Sequence, residues 1–305
     1  MKKVKEHAGV IVPMITPFTE DGKIDLDSVE KIIEKFIEND AFPFILGTTG
    51  EAASISNSEK YEFVKFVCEK FAGRTKVYAG VSSNSVKESI ENAKAFFDFG
   101  VIAVASHLPS YYPLHPYHMM KYYETLAEKA GGPIIVYNIT ATTHMSIPLD
   151  IVDQLSMHEN IVGFKDSERD QERLDKSIEL WKDREDFSHL IGWGTKCFEG
   201  LAKGSDGIVP STGNFSTKIY SDLYQSILND NLDEAAVIQK QTEDISAIYQ
   251  KDRLLSEALA ALKVMMKSVG LCEVHVLPPL TNVSEQEAKE ITIKTNEIIE
   301  KYNLS

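Results

Sequence analysis

Lys165 closes an apolar run. The segment NIVGFKDSER (160–169) reads as a strand entering a core, yet it ends in an amine, which cores hold only when it is paired or has a task. An unperturbed lysine has a pKa near 10.4, so about one in 2,500 is neutral at pH 7. Burial beside Ile161, Val162 and Phe164 disfavours the ammonium form and would bring the pKa toward roughly 7 to 8, where an amine attacks a carbonyl carbon. The alternative is an ion pair with Asp166 or Glu168. Tyr137, ending PIIVYN (133–138), offers a phenol that passes a proton in either direction once held in a dry pocket. Its plainer reading is an aromatic with a satisfied hydroxyl. GTTGE (47–51) combines flexible glycines, two hydroxyls and successive N–H groups, suited to gripping a carboxylate, although any tight turn also uses glycine.

These residues fall at the ends of regularly spaced elements. Short β-rich apolar runs occupy 8–15, 42–47, 76–82, 101–106, 133–138, 161–166, 188–193 and 206–211, and they alternate with amphipathic stretches such as DLDSVEKIIEKFIEND and SEKYEFVKFVCEKFAG. Several of those stretches open on Asp or Ser caps. Eight strand-then-helix units predict a (β/α)8 TIM barrel over 1–230, with additional C-terminal helices over 231–305. A doubly wound open sheet is the alternative, but the first strand is not followed by an unmistakable GxGxxG turn. On a barrel, functional groups collect where the strands end, and Lys165, Tyr137, GTTGE and STGN (211–214) all lie on that predicted rim.

Bulk properties narrow the chemistry. The chain has 305 residues, 46 acidic against 32 basic, for a net charge of -14, which argues against nucleic acid and anionic membranes and for a small-molecule partner. The basic, apolar N-terminus is broken by Pro13 and lacks a cleavage pattern, and no run reaches a membrane span, so a cytoplasmic protein is expected. Cys68, Cys197 and Cys272 have no metal-binding spacing and are expected to be buried free thiols in a reducing compartment.

GTTGE, YY (111–112), VYN (136–138), GFKDS (163–167) and the late LKVMMKSVGL…LPPL stand in the order and spacing of the dihydrodipicolinate synthase/N-acetylneuraminate lyase family, which the chain resembles over nearly its whole length. The resemblance implies a barrel enzyme, a homo-oligomer (dimer or tetramer), that forms a Schiff base between a lysine and pyruvate or another 2-oxo acid. No metal or organic cofactor is implied. Lys165 then resembles the imine-forming residue and Tyr137 the proton donor and acceptor. Thr48 and Thr49 resemble the threonines that hold the carboxylate and relay protons, and Tyr112 the tyrosine lent across a subunit interface. Gly47, Thr142, Gly192, Val209 and Ser211 complete the expected substrate contacts.

The departures matter as much as the matches. Dihydrodipicolinate synthases carry an arginine five residues beyond the tyrosine, and here that position is Thr142, which cannot form a bidentate ion pair with an anionic aldehyde. The acidic pair that N-acetylneuraminate lyases place after strand seven is replaced by GWGTKCF (192–198). The uncharged TATT loop suits a hydroxylated aldehyde, so the expected substrate is a 2-oxo-3-deoxy sugar acid or a relative of it. Dihydrodipicolinate synthesis and a non-catalytic 2-oxo acid-binding barrel are the alternatives. His115 and His118 lack further ligands at metal spacing and read as polar helix-start residues. GWGT with STGN could instead cradle a phosphate, with Lys196 as its nearby cation.

Overall fold

The apolar runs become strands because each can be buried on both faces, inward against the other strands and outward against a helix. The computed structural model describes residues 4–304. Its eight parallel strands are β1 (Gly9–Pro13), β2 (Ala41–Ile45), β3 (Tyr78–Gly80), β4 (Ala103–His107), β5 (Ile134–Asn138), β6 (Ile161–Asp166), β7 (Ser188–Ile191) and β8 (Gly207–Ile208). They pair in chain order, and β8 returns to β1, so the sheet closes. The protein is a (β/α)8 barrel with extra C-terminal helices.

The helices are α1 (Leu26–Glu38), α2 (Asn57–Lys70), α3 (Val86–Phe99), α4 (Pro116–Lys129), α5 (Thr140–Thr143), α6 (Leu149–Leu155), α7 (Gln171–Trp181), α8 (Cys197–Lys203), α9 (Thr217–Leu228), α10 (Leu232–Gln250), α11 (Leu255–Ser268) and α12 (Glu285–Tyr302). The expected caps are in use. Asp25, Asp170 and Ser284 accept from the third amide of α1, α7 and α12, and Ser56 with Glu59 forms a reciprocal box at α2.

Two apolar layers follow from strand alternation. Ile11, Phe44, Tyr78, Ala103, Ala105, Ile135, Leu190 and Val209 fill the barrel. Val12, Ile45, Val104, Val136, Phe164 and Ile191 face outward and pack in one cluster with helix residues such as Phe36, Val67, Phe96, Ile178 and Trp181. The inward set stops short of the C-terminal end of the strands, and polar residues take over there.

Strand boundaries differ from the expected ones where backbone geometry intervenes. β3 is three residues long rather than seven, because the chain after β2 crosses directly over its end. A Cβ on Gly80 would stand 2.0 Å from the Leu46 carbonyl oxygen, so only glycine lets that crossing occur. β8 spans two residues and runs into Pro210, which has no N–H to continue a ladder. β4 extends one residue beyond the expected end, to His107.

The helices beyond residue 230 are tied to the rim. Tyr249 of α10 shares its hydroxyl with Ser211 and Thr212 at 2.8 and 2.9 Å, and Lys263 of α11 meets Glu51 of the GTTGE turn at 2.5 Å. Among the described residues no helix is long and apolar enough to cross a membrane. The three cysteines are buried and unpaired, with burial raising each thiol above its ordinary pKa.

Candidate active site

Parallel pairing aligns the ends of β4, β5 and β6, setting His107 beside Tyr137 and Tyr137 beside Lys165. Lys165 is 5 % exposed, and its Nζ lies 3.7 Å from the centre of the Tyr137 ring and 4.7 Å from that of Phe44. The ion-pair alternative for this lysine fails, because both neighbouring carboxylates are held elsewhere. Arg173 Nε donates to Asp166 at 2.6 Å and lies 3.4 Å from Glu168. Asn138 also binds both carboxylates, each at 2.8 Å. Burial holds the Lys165 amine below the usual lysine pKa, and the adjacent Tyr137 phenol offsets part of that shift.

A cavity of about 630 Å³ opens at this end of the barrel. Gly47, Thr48, Tyr137 and Thr142 line it, together with His107, Ser82 and Asn84 from neighbouring strand ends. The hydroxyls of Thr48 and Thr142 are buried with no hydrogen-bond partner among the described residues, an arrangement that costs free energy unless a ligand supplies the partner. The GTTGE turn closes through the amides of Gly50, Glu51 and Ala52, so those of Thr48 and Thr49 take no part in its internal bonds. Lys165 is not itself on the lining but packs on the Tyr137 ring that is, and this buried amine, the phenol and a turn with unused donors make a place where a 2-oxo acid could be anchored by its carboxylate and attacked at its keto carbon.

The remaining expected residues lie differently. Thr49 is buried behind the lining, and Val209 belongs to the barrel filling beside Phe44. Gly192 donates its amide to the Asp166 carbonyl at 2.6 Å and leaves no room for a side chain, since a Cβ would meet Ser167 Oγ at 2.0 Å. Ser211 is occupied by Tyr249. Tyr112 is 68 % exposed, stacks edge-on against Tyr111 at 4.9 Å and is not part of the cavity lining.

The groups expected to cradle a phosphate have partners within the chain. Lys196 is paired with Glu199 at 2.5 Å. Asn214 braces β1 by accepting from the Ile15 amide and donating to the Pro13 carbonyl, each at 2.9 Å, so the polar groups of STGN serve internal bonds. His115 and His118 act at a helix start as expected, with the His115 amide donating to His118 Nδ1 at 3.3 Å.

Two features escaped the sequence reading. His107 was placed outside a strand that ends one residue later than expected. The Glu51–Lys263 pair joins residues 212 apart, and neither residue carries a local signal of that partnership.

With this geometry in hand, comparison with known proteins is decisive for the family. A model of the dihydrodipicolinate synthetase family matches residues 6–298. The chain belongs to that family. Its members are pyruvate-dependent class I lyases and aldolases, and the chain is a carbon–carbon lyase of that kind. It is 28% identical over 297 residues to the 4-hydroxy-tetrahydrodipicolinate synthase of Brachyspira hyodysenteriae, covering 97% of this chain and 98% of that one. It is also 28% identical over 291 residues to a protein of Escherichia coli named probable 2-dehydro-3-deoxy-D-pentonate aldolase, covering 94% and 95%. Among solved structures, the dihydrodipicolinate synthase of Acinetobacter baumannii, crystallised with pyruvate, superposes with a TM-score of 0.87 at 25% identity and covers 98% of this chain and 99% of that one.

Proposed function

We propose that this lyase forms a Schiff base between Lys165 and a 2-oxo acid, and that it cleaves or forms a 2-oxo-3-deoxy sugar acid from pyruvate and a hydroxylated aldehyde. The observation that carries the reading is the Lys165 amine, buried against Tyr137 while Asp166 and Glu168 are engaged by Arg173. In the cleavage direction the neutral amine adds to the keto carbon, and loss of water leaves a protonated imine. Tyr137 takes the proton of the hydroxyl two carbons away, the bond between the intervening carbons breaks, and its electrons move into the imine to give an enamine. The aldehyde departs. Protonation of the enamine and hydrolysis then release pyruvate and restore Lys165. Thr48 and Thr49 hold the carboxylate in this scheme.

Thr142 supports a neutral second substrate, since a hydroxyl with no partner suits a sugar hydroxyl and lacks the charge to pair with a carboxylate. The dihydrodipicolinate synthase reading keeps a place because the relative from Brachyspira hyodysenteriae bears that name. Pyruvate offered with glyceraldehyde and, separately, with aspartate semialdehyde distinguishes the two. The proposal expects condensation with glyceraldehyde to dominate, and faster turnover of aspartate semialdehyde overturns it. A homo-oligomer, dimer or tetramer, fits the exposed Tyr111, Tyr112 and Tyr117, which are 75%, 68% and 73% accessible in the single chain. In such an assembly Tyr112 would reach a neighbouring site. Sedimentation of the wild type as a monomer at micromolar concentration would remove that part of the proposal.

A further inference from the structure

We infer that His107 is the cavity's acceptor for a hydroxyl on the aldehyde half of the substrate, and that it selects polyhydroxylated over deoxygenated 2-oxo acids. This deepens the proposed reaction and rests on it.

His107 ends β4 beside Tyr137 in the ladder, with ring centroids 6.1 Å apart and an interplanar angle of 70°. It lines the same cavity as Tyr137, Thr48 and Thr142. Its backbone amide donates to Ser82 Oγ at 2.8 Å, which fixes the strand end. Its Nδ1 lies 2.8 Å from the Leu108 carbonyl oxygen. A carbonyl can only accept, so the Nδ1 position carries the proton, and in the neutral ring Nε2 is left with a lone pair. Burial keeps the ring below its usual pKa, which favours the neutral form, and the hydrogen bond to Leu108 offsets part of that shift.

Among the described residues no donor meets Nε2. An acceptor with no protein donor on the wall of a cavity loses its solvent partner when a substrate fills that cavity, and what replaces it is chemically specific. A substrate hydroxyl can donate to it. A carboxylate cannot, because both partners would be acceptors, and a methylene leaves it bare. Being one strand from Tyr137 and two from Lys165, His107 stands next to the place where the carbon–carbon bond would break. A hydroxyl within its reach therefore belongs to the aldehyde fragment. The unpartnered Thr142 hydroxyl on the same cavity provides a second polar contact of the same kind.

The test compares pyruvate condensation with glyceraldehyde and with propanal in the wild type, His107→Phe and His107→Gln. Phenylalanine keeps a ring beside Tyr137, and glutamine restores an acceptor near the Nε2 position. His107→Phe is expected to lower kcat/KM for glyceraldehyde about 10- to 100-fold while changing that for propanal by less than about twofold, and His107→Gln to recover much of the loss. Borohydride trapping of pyruvate on Lys165 should be equal in all three. If His107→Phe folds poorly, His107→Leu, which likewise offers no acceptor, carries the same comparison against His107→Gln and the wild type. Equal losses for both aldehydes, or no loss for either, would overturn the role of His107 while leaving the aldolase reading intact. A wild type that condenses neither aldehyde refutes the reaction itself, and the inference with it.

Discussion

The Glu51–Lys263 pair allows the link between the C-terminal helices and the carboxylate-binding turn to be measured. Both side chains are fully buried. Lys263 Nζ donates to Glu51 Oε1 at 2.5 Å and to the His275 carbonyl at 2.7 Å, while Glu51 Oε2 accepts from the Leu277 amide at 2.9 Å. Lys263→Met removes the ammonium and leaves a buried carboxylate with one backbone donor. Breaking one half of a buried pair costs about 3–5 kcal/mol. At about 2–4 °C per kcal/mol for a large domain, the melting temperature should fall by about 6–20 °C. Adding Glu51→Gln removes the stranded charge, and the glutamine oxygen still accepts from Leu277. The double variant should therefore be more stable than Lys263→Met by about 2 kcal/mol, and urea unfolding of the wild type, both single variants and the double variant gives the coupling energy. The single variant should also raise the KM for pyruvate, because Glu51 ends the turn that carries Thr48 and Thr49. Additive losses in the cycle, or a KM unchanged despite lower stability, would refute the reasoning.

Gly80→Ala forces a Cβ against the Leu46 carbonyl, so it should cost about 1–3 kcal/mol and weaken pyruvate binding, measured by unfolding and by KM. His189 is buried between Ser205 and Ser177 at 2.9 and 3.0 Å, and burial lowers its pKa to about 3. The unfolded chain takes up this proton below about pH 6.5 while the folded chain does not. Stability should therefore decline as pH falls from 6.5 toward 3, and His189→Gln should flatten that decline in urea unfolding at pH 7 and pH 4.5. Thr142→Arg should raise kcat/KM for aspartate semialdehyde relative to glyceraldehyde by about 10-fold, by supplying the missing guanidinium.

The barrel was legible because each strand run is apolar on both faces and each intervening stretch has a helical period. Lys165 and Tyr137 stood out for the same reason, since an amine and a phenol at the ends of consecutive apolar runs break the pattern. Parallel pairing turns that sequence position into contact. His107 was harder to see because a polar residue after an apolar run looks like the first residue of a loop. Only the ladder with Tyr137 shows that β4 continues through it. Ser211 and Asn214 misled for the opposite reason. A rim position exposes a hydroxyl or amide to substrate only if no helix arrives to bind it, and Tyr249 and the end of β1 do so here. Such long-range partnerships leave no periodic trace in the chain.

The central claim is that the Lys165 nitrogen becomes covalently joined to a keto carbon. Borohydride reduction in the presence of pyruvate, followed by peptide mass analysis, tests it most directly. The account predicts one stable adduct, on the peptide containing Lys165, that is absent in Lys165→Ala and retained in Tyr137→Phe although turnover is lost. An adduct on any other lysine, or no adduct from an enzyme that is turning over, would contradict it.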